Sequence, residues 1–108
     1  MKLYKLDHMV KGWFVGNFDP VAYKTEDAEV SVKFYKKGDK EARHVHKLTT
    51  EITVIISGAV VMNNVKFMTN DIIVIEPNES TDFEVIEDTT TVVFKSKSII
   101  GDKYPVQE

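Results

Sequence analysis

Cysteine is absent from this sequence of 108 residues. A disulfide framework, a thiolate nucleophile and a thiolate-bound zinc are therefore excluded, and we expect a cytoplasmic location. Long hydrophobic runs are missing as well, because no stretch approaches the roughly 18 apolar residues of a membrane-spanning helix. The first twelve residues lack the apolar segment of a signal peptide. The sequence predicts a protein with no membrane partner.

Concentrated basic charge is also lacking. The net charge is −3, and lysines are interspersed with acidic residues along a chain that has one arginine, Arg43. Because nucleic-acid binding needs a basic stripe or patch, we expect no nucleic-acid partner. Glycine and proline are sparse, at 5 and 3 residues, and 43% hydrophobic residues suffice for the core of one domain.

Short apolar runs separated by turn residues recur along most of the sequence. Residues 29–35 alternate apolar and polar side chains, which is typical of a strand. Residues 52–56 and 72–75 are almost continuously apolar and predict strands covered on both faces. No segment has the length and period of a helix, so an all-β barrel or sandwich with few or no helices is predicted. Turns between these strands are predicted at residues 57–58, 63–64 and 87–88, among others.

The strand pattern divides the chain into three parts. Residues 28–97 carry the pattern and are predicted to form the β-barrel. Residues 1–27 form an N-terminal arm that packs on the barrel or on a partner subunit, and residues 98–108 form a C-terminal tail across the surface. The arm includes Trp13, the single tryptophan, in an apolar run that is unusual for a free terminus. We therefore expect a homodimer with the arm at or near the interface.

The candidate site is a pair of histidines with a carboxylate nearby. His44 and His46 are two residues apart, so on a strand both side chains leave the same face. A polar break at residues 47–50 lets Glu51 begin the next strand and face the two histidines. Two neutral imidazoles and a carboxylate are typical transition-metal ligands. The same spacing also fits a half-exposed strand face without a metal, and the spacing alone leaves both interpretations open.

The stretch around these histidines resembles the first motif of the cupin superfamily. That motif reads Gly, five residues, His-x-His, three or four residues, Glu, six residues, Gly. The five fixed positions are occupied, at the motif's separations, by Gly38, His44, His46, Glu51 and Gly58.

The second cupin motif is only partly matched. Asp71, Pro77 and Phe83 fit its Gly-Asp turn, proline loop and following strand. Thr81 stands where the family has its fourth ligand, a histidine. Since Thr81 shares strand parity with Phe83, we expect it to point inward, whereas Asp82 would need a bulge to reach the site.

The resemblance implies a double-stranded β-helix, or jelly roll, with the metal ligands pointing into the barrel. The implied ligands are His44, His46 and Glu51, and the implied metal is a divalent Fe, Mn, Ni or Zn. The implied function is a metal-dependent oxygenase or isomerase acting on a small polar, sugar-like molecule, with Tyr35 as a candidate catalytic acid or base. Small single-domain cupins commonly pair, which also favours a homodimer.

An alternative function follows from Thr81. A neutral hydroxyl is a poor metal ligand, so the chain would instead be a non-catalytic cupin. Its cavity would bind a small-molecule ligand by shape and hydrogen bonds, with weak metal binding or none. Whether the chain is an enzyme is left open by its sequence.

Overall fold

Strands make up nearly all the regular structure of the computed structural model, which describes residues 1–107. Two 3₁₀ turns, Leu6–His8 and Val10–Gly12, precede the first strand. Within residues 1–107 no helix has both the length and the apolar character that crossing a membrane requires. The predicted all-β class with few helices is confirmed. The strands are β1 (Trp13–Gly16), β2 (Tyr23–Lys24), β3 (Glu29–Tyr35), β4 (Lys40–Val45), β5 (Glu51–Met62), β6 (Val65–Met68), β7 (Ile72–Ile75), β8 (Ser80–Lys95) and β9 (Tyr104–Pro105).

Two long strands, β5 and β8, connect the two layers of the barrel. The first half of β5 and the second half of β8 pair in a layer that also contains β1, β2, β3 and β7. The remaining halves pair in a second layer with β4, β6 and β9. Apart from the parallel pair β1–β2, neighbouring strands are antiparallel. This arrangement is the predicted jelly roll.

The turns predicted at residues 57–58 and 87–88 are wrong, because the chain bends there without reversing. The pairing of β5 with β8 changes register three times between Ile55 and Val60, as expected where bulges turn a barrel corner. Gly58 lies at this corner with a φ of +104°, and a Cβ there would come within 2.3 Å of the Thr89 hydroxyl. A side chain at position 58 would therefore strain the bend.

The hairpin predicted at residues 63–64 is confirmed. Asn63 and Asn64 connect β5 to β6 with φ angles of 49° and 64°. Asparagine tolerates this left-handed region better than most residues, because its short side chain can hydrogen-bond locally.

The core is apolar at one end of the barrel and polar at the other. Each fully buried aliphatic side chain stabilises the fold by about 1.5–3 kcal/mol. Near the other end the inward positions of β3, β5 and β8 carry hydroxyl side chains, which are Ser31, Thr53, Thr81 and Thr91. These hydroxyl side chains make the interior of the barrel polar at this end. The apolar cluster is Ile55, Val60, Met62, Ile75, Phe83 and Val85.

One layer has an uncovered apolar outer face. Residues 52–56 and 72–75 were predicted to be covered on both faces, and for a single chain this is wrong. Ile72 is 65% exposed and Val74 is 50% exposed, because nothing within residues 1–107 packs over the outer side of β7. Register aligns nine apolar residues across four strands on this side. The apolar outer face comprises Val30, Val32, Phe34, Ile52, Val54, Ile72, Val74, Val92 and Phe94.

Candidate metal and ligand site

The two histidines lie together in a cavity of about 220 Å³ inside the barrel. His44 is near the end of β4, and His46 follows just after that strand ends. Both side chains are buried, and their rings meet edge to face with centroids 5.2 Å apart. Glu51, the first residue of β5, lines the same cavity. The structure therefore brings the three sequence-predicted ligands into one space.

Backbone carbonyls fix the orientation of both imidazoles. The Nδ1 atom of His44 donates to the carbonyl oxygen of Ala42 at 3.1 Å, and that of His46 donates to the carbonyl oxygen of Asp102. A ring that donates from Nδ1 and is neutral has its lone pair on Nε2. The Nε2 atom of His46 is buried without a hydrogen-bond partner, and it lies 3.6 Å from the Oε1 atom of Glu51. This distance is too long for a good hydrogen bond.

The protonation states of these groups suit a donor site. Burial lowers the pKa of His44, so its ring is neutral near pH 7. Burial alone would raise the pKa of Glu51, but the contact with His46 and the charge of Lys95 bring it below its ordinary value. The Thr53 hydroxyl donates to Glu51 at 3.5 Å. A neutral imidazole and an ionised carboxylate are the forms in which these side chains bind metals.

Thr81 faces the histidines from the opposite strand. It pairs in register with His44 across β4 and β8, is buried, and lines the cavity. Asp82 points away and forms an ion pair with Arg43 at 3.1 Å, so it adds no ligand. Among the residues described, no group of three or more His, Cys, Asp or Glu side chains is gathered closely enough to hold a metal ion. The donors share a cavity without being drawn together around one point.

Asp102 supports this site, and sequence reasoning missed it. Its carboxylate is buried and accepts hydrogen bonds from the amides of residues 47–49 and from the Thr49 hydroxyl, at 2.9–3.2 Å. Burial would raise the pKa of Asp102, but these hydrogen bonds hold it below its ordinary value. Asp102 thus fixes the loop between β4 and β5 and also orients His46. The only sequence signal was a Gly-Asp pair in the tail.

Lysines surround the mouth of the cavity. Lys33 on β3 and Lys95 on β8 place their Nζ atoms 4.6 and 5.2 Å from the ring centroid of Trp13. Lys103 joins them from the C-terminal tail. Sequence reasoning did not identify Lys33 or Lys95 as cavity residues, because strand parity assigns a side chain to a face without saying which face is inward.

Tyr35 also lines the cavity, and its ring packs on Phe83 with centroids 4.9 Å apart. Burial raises the pKa of the phenol well above its ordinary value, and the negative charges of Glu41 and Glu51 add to this shift. The phenol therefore stays protonated at neutral pH. It can donate a hydrogen bond, but the raised pKa makes it a weak proton donor, and the protonated phenol cannot serve as a base.

The geometry defines the class of fold: the chain has the double-stranded β-helix fold of the cupins. No family model and no curated protein matches the sequence. Among solved structures, the chain is similar to an uncharacterized conserved protein with a double-stranded β-helix domain from Klebsiella pneumoniae subsp. pneumoniae. The TM-score is 0.73 at 19% identity, over 99% of this chain and 93% of that one.

Two further solved structures are similar to this chain, and their names are more specific. A cupin-2 domain containing protein from Shewanella frigidimarina has a TM-score of 0.57 at 12% identity, over 68% of this chain and 74% of that one. The capsular polysaccharide assembling protein CapF from Staphylococcus aureus has a TM-score of 0.66 at 20% identity, over 80% of this chain. The match spans only 30% of the CapF chain. Identities this low establish the fold alone.

Proposed function

We propose that this chain is a small-ligand cupin in which His44, His46 and Glu51 hold a divalent transition metal inside the barrel. The observation that carries the proposal is the Nε2 atom of His46. This atom is buried without a hydrogen-bond partner and lies 3.6 Å from the Oε1 atom of Glu51. A buried polar atom left unpaired costs about 1–3 kcal/mol, and a bound cation would remove that cost.

The chemistry of the donor set supports the same metals that the motif implies. Two imidazoles and one carboxylate suit Fe, Mn, Ni or Zn and leave coordination positions open. A neutral threonine at position 81 leaves room for a ligand atom on that side. When bound, such a metal supplies a Lewis acid that polarises an oxygen of the ligand.

The residues around the donors suit a small polar substrate, and we propose an isomerase or oxygenase reaction on it. The hydroxyls of Thr53 and Thr91 face the cavity and can hydrogen-bond to ligand oxygens. Tyr35 stays protonated and can donate a hydrogen bond to an oxygen that gains negative charge. We propose this role for Tyr35 in such a reaction, because its raised pKa makes it a weak proton donor.

Metal binding is tested by the metal content of protein loaded with Mn(II), Fe(II), Ni(II) or Zn(II) and then desalted. We expect about one ion per chain, and His46→Ala should reduce it at least tenfold because the orphaned donor is lost. The matched control is His8→Ala, since His8 is exposed in the N-terminal arm. A metal content near zero, unchanged by His44→Ala, would refute the proposal.

A second candidate function is the metal-free cupin that binds a small organic ligand. It is favoured by the absence of a close three-ligand cluster within residues 1–107 and by Thr81 at the fourth ligand position. Here we expect sugars or small acids to raise the melting temperature equally with and without a chelator. Stabilisation that disappears when EDTA is added would count against this candidate.

We also propose that the chain forms a homodimer through the apolar outer face. Exposed apolar patches of this extent are uncommon on monomers. The nine residues of the face carry no charge, so the face is suited to pack against the same face of a second copy around a two-fold axis. The N-terminal arm adjoins it, because Tyr4, Leu6 and Met9 form an apolar groove with Val32.

A further inference from the structure

We propose that Lys33, Lys95 and Lys103 form an anion-binding subsite at the mouth of the histidine cavity. The ligand would then be a small polar molecule with a carboxylate or phosphate group. This inference rests on the proposed function only in placing a small ligand in that cavity, and it requires no metal.

The geometry concentrates positive charge at one place. Lys33 and Lys95 extend from the inner sides of adjacent strands, and their Nζ atoms share the ring of Trp13, at 4.6 and 5.2 Å from its centroid. Lys103 reaches the same cavity from the C-terminal tail. The positive charges of Lys95 and Lys103 act unfavourably on Lys33, and a bound anion would attract all three. The convergence is notable in a chain whose net charge is −3.

The carboxylates at the cavity are already engaged. Glu29 contacts Lys95 at 3.9 Å and accepts a hydrogen bond from the Ser98 hydroxyl at 2.8 Å. Glu41 interacts with the Tyr35 phenol, whose pKa is raised by burial and further by the negative charge of Glu41. Cation–π contact and one modest ion pair leave the ammonium groups able to accept a stronger partner.

Two of the lysines have no carboxylate partner of their own. Within residues 1–107 neither Lys33 nor Lys103 forms an ion pair. Lys33 donates to the backbone oxygen of Lys11 at 3.2 Å. Burial lowers the pKa of Lys33, the negative charge of Glu41 opposes this shift, and the charges of Lys11, Lys95 and Lys103 act in the same direction as burial. Holding the lysine amines near each other costs free energy, and a bound anion would offset that cost.

The interior below the lysines fits the polar remainder of such a ligand. The Thr91 hydroxyl is fully buried, lines the cavity and has no hydrogen-bond partner. A larger groove of about 680 Å³ adjoins the mouth, and both spaces share Lys11, Lys33, Tyr35 and Glu41. A ligand can therefore place its anionic group at the lysines, with polar groups below and a longer portion in the groove.

The test is an equilibrium titration of protein dialysed against EDTA, with inorganic phosphate and separately with glycolate, at constant ionic strength. Trp13 is the only tryptophan, so its fluorescence reports directly on the lysines that cover it. We expect a saturable change with at least one anion. Lys33→Met and Lys103→Met should each weaken binding roughly tenfold or more, because each removes a charge-assisted hydrogen bond. The melting temperature is measured alongside, to detect an anion that binds without altering the indole.

The controls separate the possible outcomes. Glycerol should cause no saturable change, and Lys66→Met, an exposed lysine on β6, should bind like the parent. Binding of phosphate alone would indicate a phosphorylated ligand, and binding of glycolate alone would indicate a carboxylic acid. No saturable change in either readout, or binding unaffected by both lysine substitutions, would overturn the proposal. Because no metal is present, failure here leaves the metal proposal intact, and failure of metal loading leaves this result intact.

Discussion

Asp102→Ala is expected to lower the free energy of unfolding by about 3 kcal/mol. Three backbone amides, those of residues 47–49, donate to this buried carboxylate, together with the Thr49 hydroxyl. Without it these groups lose their acceptor; the Thr49 amide and hydroxyl are buried, and each buried group left unsatisfied costs about 1–3 kcal/mol. For a domain of this size, the melting temperature should fall by about 15 °C.

Two comparison variants make this prediction specific. Asp102→Asn keeps the shape and one acceptor oxygen, so it should lie between the parent and the alanine variant. Asp88 accepts one amide hydrogen bond, from Lys37 at 2.9 Å, on the exposed surface. Asp88→Ala should therefore cost less than about 1 kcal/mol. If Asp102→Ala melted within a few degrees of Asp88→Ala, the anchoring role of Asp102 would be contradicted.

Asp102→Ala should also weaken metal binding, because it lets His46 shift without removing any metal-binding side chain. The backbone oxygen of Asp102 orients the ring of His46, and its carboxylate holds the loop that follows this histidine. Losing the anchor should let the Nε2 atom move away from Glu51. Metal content would therefore fall in folded Asp102→Ala protein, measured below its melting temperature, although every donor is retained.

Much of the fold could be predicted because the alternation and turn residues that indicate strands are local in the sequence. The alternation in residues 29–35 and the Asn63-Asn64 pair each act over a few neighbours, and β3 and the β5–β6 hairpin are present. The conformation at Gly58 could not be predicted from its sequence neighbours. A glycine with positive φ serves equally in a turn or a bulge, and only pairing with β8, about thirty residues away, selects the bulge.

The candidate site was predictable only where its residues are close in sequence. His44 and His46 share a face through strand parity, and Glu51 follows after a short loop. Asp102 contacts residues more than fifty positions earlier. Lys33, like Asp102, is placed at the site by strand pairing and the course of the chain. Local periodicity contains no information on such distant contacts, so these residues had to come from the structure.

The second large effect is expected for Phe34→Glu and Ile72→Glu, which should convert a wild-type dimer to a monomer. The two side chains are 71% and 65% exposed and lie on opposite sides of the apolar outer face, on β3 and β7. In the proposed dimer each glutamate would be buried against its partner's apolar strands, with no cation to pair with. An unpaired buried charge costs several kcal/mol, which corresponds to a loss of affinity of at least about 100-fold.

We expect the wild-type chain to be a dimer because of the size of the apolar outer face. Stable interfaces involve about 20–30 residues on each side around an apolar core, and the nine residues of the apolar outer face can supply that core, with the N-terminal arm at its rim. Light scattering after gel filtration at micromolar concentration measures the mass of each variant. Val65→Glu is the matched control, because Val65 is 51% exposed on β6, outside this face. A monomeric wild type would exclude this interface, and so would a dimer that persists in both Phe34→Glu and Ile72→Glu. Loss of the dimer in Val65→Glu as well would indicate an effect of added charge alone.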